Sequence, residues 1–197
     1  MKMNTRNIFS ILLILLVVAV AVSAAGCTDP ADNTTPNTTN NTTNNTTNLT
    51  INQSIVVVDP VPAGFALQSG GKVVYSDDEV GTEDKVIGYQ AVYSYTYSNN
   101  TTSNAYLTVF ECANATAANG YVQEMIDDNN AKYGNQSNVT TITVNGHNAT
   151  LITRAVTDST NPVRYDIFWA NDNYFVVVNG PLADLNAMES LANASKL

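Results

Sequence analysis

Val139-Thr-Thr-Ile-Thr-Val-Asn-Gly-His-Asn-Ala-Thr-Leu-Ile-Thr-Arg-Ala155 is the stretch that decides how this chain folds. Val139–Val144 is rich in β-branched side chains, Asn145-Gly146 follows, and a second run covers Asn148–Ala155. Asn-Gly supplies the positive φ angles of a tight two-residue turn, so the segment reads as an antiparallel hairpin. Downstream, Val163–Trp169 and Tyr174–Val178 predict a second hairpin around Asn171-Asp172-Asn173. Gly180-Pro181 then opens a final helix expected to run to about Ser195, with Leu182, Leu185, Met188, Leu191 and Ala192 as its apolar stripe.

Upstream of the hairpin, Asn114–Tyr133 has helical periodicity. Ala117, Tyr121, Met125 and Ile126 fall on one side, and Gly134 fits the stop. Val86–Tyr97 and Ala105–Glu111 read as neighbouring antiparallel strands joined across Asn99-Asn100-Thr101-Thr102. Phe65-Ala66-Leu67 and Lys72–Tyr75 read as two shorter strands around Ser69-Gly70-Gly71, and Val56-Val57-Val58 leads into the turn-rich Asp59–Gly64. Short connections imply antiparallel pairing. The expected fold class is therefore α+β: an antiparallel β-sheet over residues 55–197 with two amphipathic helices packed on one face.

The N-terminal part is different in kind. Residues 1–27 carry Lys2 and Arg6, then an almost wholly apolar run from Ile8 to Ala25, then Ser23-Ala24-Ala25-Gly26 ahead of Cys27. A basic start, an apolar centre and small residues before a cleavage point form the pattern of an export signal. Small-small-Gly-Cys resembles a lipobox, in which Cys27 receives a lipid; the residue at its first position is Ala24 where Leu is usual. About eighteen apolar residues also approach the minimum for a membrane-spanning helix, so an uncleaved anchor competes, as does a plain signal cut near Ala25.

Residues 28–54 are low in complexity and nearly free of apolar side chains, which predicts a disordered Asn/Thr-rich stalk. Asn-X-Ser/Thr acceptors crowd it, among them Asn33, Asn37, Asn41, Asn45, Asn48 and Asn52, and continue into the domain at Asn100 and Asn114. A plain polar linker is the alternative reading, because Asn and Thr repeats generate such triplets by chance.

The chain has 8 basic and 17 acidic residues. Loss of Lys2 and Arg6 on processing leaves 8 − 2 = 6 basic groups and a formal net of 6 − 17 = −11. That balance excludes nucleic-acid binding, which needs clustered Lys and Arg. Only Cys27 and Cys112 are present; Cys112 reads as a small buried hydrophobe. One histidine, His147, stands after the Asn145-Gly146 turn without a nucleophile, zincin or Cys-X-X-Cys motif, so no catalytic residue, metal or cofactor is expected. The run Asp77–Asp84 is the best candidate for a hard cation, but it lacks the spacing of a calcium loop and reads as a solvated acidic loop.

In Val86–Tyr97 alternation puts Tyr89, Tyr93, Tyr95 and Tyr97 on one side with Ile87 and Ala91, while Gly88, Gln90, Ser94 and Thr96 take the other. Tyr165 and Trp169 share a side on a later strand. Such rings suit the floor of a sugar- or peptide-binding groove, with Tyr93, Tyr95, Tyr97, Tyr165 and Trp169 as candidate contacts. The competing reading packs them beneath the helices, and then every buried hydroxyl needs a hydrogen-bond partner.

With its lipobox-like end, Asn/Thr stalk and acidic domain, the chain resembles small surface lipoproteins of methanogenic archaea. Val61-Pro62-Ala63-Gly64-Phe65, Phe110-Glu111-Cys112-Ala113-Asn114-Ala115, Val144-Asn145-Gly146 and Trp169…Tyr174-Phe175-Val176-Val177-Val178 resemble PsbP-like lipoprotein domains. The resemblance implies an antiparallel sheet with helices packed on it and an accessory or binding role without catalysis. The expectation is a non-catalytic extracellular protein of the cell envelope, held at the outer face of the cytoplasmic membrane by an N-terminal lipid or helix. Its expected partner is an envelope glycan or protein. An extracellular hydrolase and a purely structural glycosylated protein are the alternatives.

Overall fold

Alternating side chains on the central strands give one sheet two separate cores. The computed structural model describes residues 51–75, 86–157 and 162–197. Its strands are β1 (Phe65–Tyr75), β2 (Val86–Thr96), β3 (Thr102–Glu111), β4 (Ser137–Val144), β5 (His147–Ala155), β6 (Val163–Asn171) and β7 (Tyr174–Asn179). Helix α1 (Ala115–Tyr133) lies between β3 and β4, and α2 (Leu185–Asn193) follows β7. The strands form one seven-stranded sheet in the order β1-β2-β3-β7-β6-β5-β4. Every pairing is antiparallel. From β3 the chain passes through α1 to the far edge at β4, and β5, β6 and β7 step back until β7 pairs with β3.

The α+β class and the hairpins hold. The expected turn is present, with Asn145 at φ 50° and Gly146 at φ 83°. It also anchors the tail: the Asn145 side-chain amide donates to the main-chain oxygens of Ser195 and Leu197. Asn173, Asp172 and Asn171 close the second hairpin, with Asp172 at φ 51°.

The helices, however, pack on opposite faces rather than on one. Ile167, Trp169, Val176 and Val178 point into a core with Met188 and Leu191 of α2. Phe168, Phe175 and Val177, their alternating neighbours, point the other way, against Ala118, Tyr121 and Met125 of α1. Both sides of β6 and β7 are apolar, so each needs its own cover, and a single two-helix layer would leave one exposed. Burying a large apolar side chain stabilises by about 1.5–3 kcal/mol, so neither core is dispensable.

Element boundaries also differ, β3 starting at Thr102 rather than Ala105. The expected pair of short strands is one continuous β1 with a register shift between Leu67 and Ser69. Gly70 and Gly71 keep negative or extended φ and do not turn the chain. The final helix starts at Leu185, not at Gly180-Pro181, because Asp184 is its N-cap and accepts from the Ala187 N–H. Leu182 is fully buried ahead of that cap. Helix α1 is capped in the same way by Asn114 and ends at Gly134, whose φ is 49°.

Packing on the sheet is in place from Ile51, ahead of the Ile55 start expected from composition. Ile51, Val56 and Val58 are buried on the α2 side, and Gln53–Val56 forms a short 3-10 turn. This strap lies over β1, β2 and β3. Among the described residues no helix is long and apolar enough to cross a membrane.

Candidate functional site

The tyrosine row is on one face of β2, as alternation requires, and that face is the one under the strap and α2. Tyr93 is completely buried. Its hydroxyl donates to the Val56 carbonyl at 2.7 Å and accepts from the Val58 N–H at 2.8 Å. Burial pushes its phenol above the ordinary range, with the Val58 N–H pulling the other way. Tyr93 is thus the stitch that holds the strap down, which leaves its ring and hydroxyl no face for an external ligand.

Tyr95 and Tyr97 do the equivalent work at the start of α2. The Tyr97 hydroxyl accepts from the Ala183 N–H at 3.1 Å, and Tyr95 reaches Asp184 Oδ2 at 3.4 Å. Desolvation first, then the Asp184 charge, raises the Tyr95 phenol. Phe65 and Tyr97 flank the Tyr95 ring at centroid distances of 4.9 and 5.2 Å. Trp169 is 1% exposed in the same core, with Tyr165 packed at its margin. The structure therefore brings Tyr93, Tyr95 and Tyr97 together with the strap and the α2 cap, and Tyr165 and Trp169 with α2. The Trp169 indole N–H has no hydrogen-bond partner among the described residues.

The opposite face of the sheet carries a polar cluster at the end of α1. Arg154 and Asp166 form a largely buried ion pair, and the Arg154 guanidinium lies 4.7 Å from the Tyr133 ring centroid. Asn129 donates to Ser137 Oγ at 2.8 Å. Burial drives the Asp166 carboxyl upward while the Arg154 charge holds it down. These contacts fasten the last turns of α1 to β4, β5 and β6; a buried pair of this kind fixes geometry more than it adds stability.

Cys112 is a free, buried thiol whose ionisation burial pushes up to about 11. It is the opposite of an activated nucleophile, which needs a lowered value. His147 opens β5 across from Val144. Among the described residues no group of three or more His, Cys, Asp or Glu could hold a metal ion. The acidic run Asp77–Asp84 lies outside the described residues, as do Cys27, Asn33, Asn37, Asn41, Asn45 and Asn48.

The glycan acceptors that are described are exposed. Asn52 caps the 3-10 turn, accepting from Ser54 N and Ser54 Oγ. Asn100 occupies the β2–β3 turn at φ 64°. Asn114 caps α1. In the adjacent triplet Asn99-Asn100-Thr101, Asn99 Oδ1 accepts from both the Thr101 N–H and its hydroxyl.

What sequence reading passed over is the other side of β2. Helix α1 packs on β4, β6 and β7, and Phe110 at the end of β3 joins its core, but among the described residues no helix packs on β1 and β2 on that side. Gln90, Ser94 and Thr96 sit there, and the signal was their polar, uncharged character on an interior strand. No protein-family model, curated protein or solved structure matches this chain.

Proposed function

We propose that this is a non-catalytic accessory or binding protein of the cell envelope, displayed on the outer face of the cytoplasmic membrane by its N-terminus. The reading joins the export-signal pattern of residues 1–27 and the Cys27 lipobox to one structural observation, the stitched strap. A tether delivers its load to the first packed residues of the domain. Here Ile51, Val56 and Val58 are buried on the sheet, and both hydrogen bonds of Tyr93 hold the segment in place. Lys196 reaches the Ser54 carbonyl at 3.5 Å, so the C-terminal tail braces the same joint. A domain built to hang from its N-terminus gains from a joint of that kind, and a freely secreted one does not need it. The pattern-level resemblance to PsbP-like lipoprotein domains supports the same accessory role.

Mass spectrometry of the native N-terminus, with fractionation of membranes and medium, tests this. The expected result is membrane-bound protein carrying lipid on Cys27, released into the medium by Cys27→Ala. An unmodified N-terminus at Cys27 in soluble protein overturns it.

A further inference from the structure

We propose that the α1-side face of β1–β3 is a binding surface for a neutral saccharide of the surrounding envelope, with Tyr106 as its stacking platform. This inference rests on the accessory-binding reading and gives it a ligand class.

The face is defined by register. Gln90 pairs with Thr108, Val92 with Tyr106 and Ser94 with Asn104, so these six side chains lie on one side of β2 and β3. The opposite side of the same strands holds Ala91, Tyr93, Ala105 and Leu107, all fully buried beneath the strap and α2. Among the described residues, neither the strap nor α1 packs on the side with Gln90 and Tyr106. It is nonetheless not a row of aliphatic side chains awaiting a hydrophobic partner. Around the half-buried Val92 these positions set the amides of Gln90 and Asn104, the hydroxyls of Ser94 and Thr108 and the Tyr106 ring, and they include no charged residue in a chain of net charge −9.

Three features narrow the ligand. First, the absence of charge leaves nothing to compensate an ionic ligand, whose desolvation would go unanswered. Second, β2 and β3 are interior strands with both neighbours paired, so their main chains have no donors or acceptors left for an added peptide strand. Over β2 and β3 recognition therefore comes from side chains. Third, those side chains combine hydroxyl and amide groups with a ring, which matches a sugar: equatorial hydroxyls for hydrogen bonds and an apolar C–H face for stacking.

The floor is also preformed, with Thr108 buried, Gln90, Val92, Ser94 and Tyr106 half-buried and Asn104 exposed. The Gln90 amide donates to Thr108 Oγ1 at 3.0 Å, which fixes both side chains. A Cβ placed on Gly180 would lie 3.1 Å from Tyr106 Cδ2, so the Tyr106 ring rests against the glycine backbone. Beside Gln90, Gly71 faces open space, with nothing within 4 Å of where its Cβ would be.

The test uses the full chain in detergent, with immobilised neutral tetrasaccharides of glucose, mannose and N-acetylglucosamine as probes. At least one probe is expected to retain the protein. Tyr106→Ala and Gly71→Arg are each expected to weaken that retention roughly tenfold or more, the scale of a lost aromatic contact or a blocked floor. Tyr95→Phe, on the opposite face, leaves it unchanged. Gly71→Arg projects into open space and keeps the fold, so a folding failure of Tyr106→Ala does not remove the test. Retention that survives both substitutions, or folded protein held by none of the probes, overturns the proposal. Lipid on Cys27 with no sugar binding sinks this inference alone; sugar binding by native protein recovered from the medium without lipid sinks only the display role.

Discussion

The two faces of the sheet are covered by unlike means. On the α2 side the strap lies over β1–β3 and α2 packs on β3, β4, β6 and β7, so the face is covered except at its two edges, where Leu67 and Thr140 are exposed. Its tyrosine hydroxyls are tied to Val56, Val58, Ala183 and Asp184. On the α1 side a single helix packs on β4, β6 and β7, and β2 and β3 show the amides of Gln90 and Asn104, the hydroxyls of Ser94 and Thr96, Val92 and the Tyr106 ring. The difference teaches that aromatic content alone does not mark a binding face. A closed face uses polar tips of large rings to fasten its cover, whereas an open one keeps small and neutral polar groups toward solvent.

The largest effects belong to the closed face. Trp169→Ala removes a fully packed ring between the sheet and α2, and a loss of about 3–5 kcal/mol is expected in denaturant titration. A loss below about 1 kcal/mol would mean that α2 does not seal this core. Next is Tyr93→Phe, which keeps the ring and deletes only the hydroxyl. It leaves a buried N–H at Val58 and a buried carbonyl at Val56 without their partner, at a cost of about 1–3 kcal/mol. Hydrogen exchange should then accelerate across Ile51–Val58 before it does so in α2. Uniform acceleration would show that the strap is not a separate cover.

Glycine substitutions sharpen the comparison from the other side. On the α1 side of β2, a Cβ on Gly88 would sit 2.4 Å from the Val109 carbonyl oxygen and 2.7 Å from the Phe110 ring. Gly88→Ala is therefore expected to cost about 1–3 kcal/mol, measured by thermal or chemical denaturation. A neutral result would show that Phe110 has somewhere else to go.

Alkaline pH loads both faces together. In the unfolded chain the Cys112 thiol ionises near 9.0, whereas burial holds it protonated in the fold up to about 11. The unfolded state thus gives up the proton first as pH rises. The thiol's contribution is complete below pH 9 and declines between pH 9 and about 11. The buried Tyr93 phenol shifts in the same direction on the other face. Melting temperature should fall through this window, with each group contributing at most about 1.4 kcal/mol per pH unit. Cys112→Ala should flatten the early part of the decline; an unchanged profile would show that the thiol is not protected.

Much of this was legible in local chemistry. Asn145-Gly146 announced its hairpin, and Asn114 and Gly134 bracketed α1, because turn and cap residues act over a few positions. The placement of the helices was not legible in the same way. Ile167-Phe168-Trp169 and Phe175-Val176-Val177-Val178 are apolar on both sides, which says that two covers exist but not which helix takes which face. The tyrosines were legible as a row and not as fasteners, since their partners Val56, Val58, Ala183 and Asp184 lie far off in sequence. The uncovered face was visible only as the polar half of an alternation. Its exposure depends on where α1 crosses the sheet, and that is set by the β3-to-β4 connection, not by any residue in β2.

Gly71 offers the finest test of that exposure, and its sign is opposite to the others. It lies on the same side of the sheet as Gly88 but on the edge strand β1, across from Gln90, with no positive φ and nothing within 4 Å of where a methyl group would stand. An alanine there meets no atom and restricts the unfolded chain. Gly71→Ala is expected to stabilise by about 0.4–1 kcal/mol, whereas the same change at Gly88 destabilises. If Gly71→Ala were instead destabilising, something would occupy the space beside Gln90, and the α1-side face of β1–β3 would be a covered surface like its counterpart. A gain on one strand and a loss on the next would mark where packing ends and open floor begins.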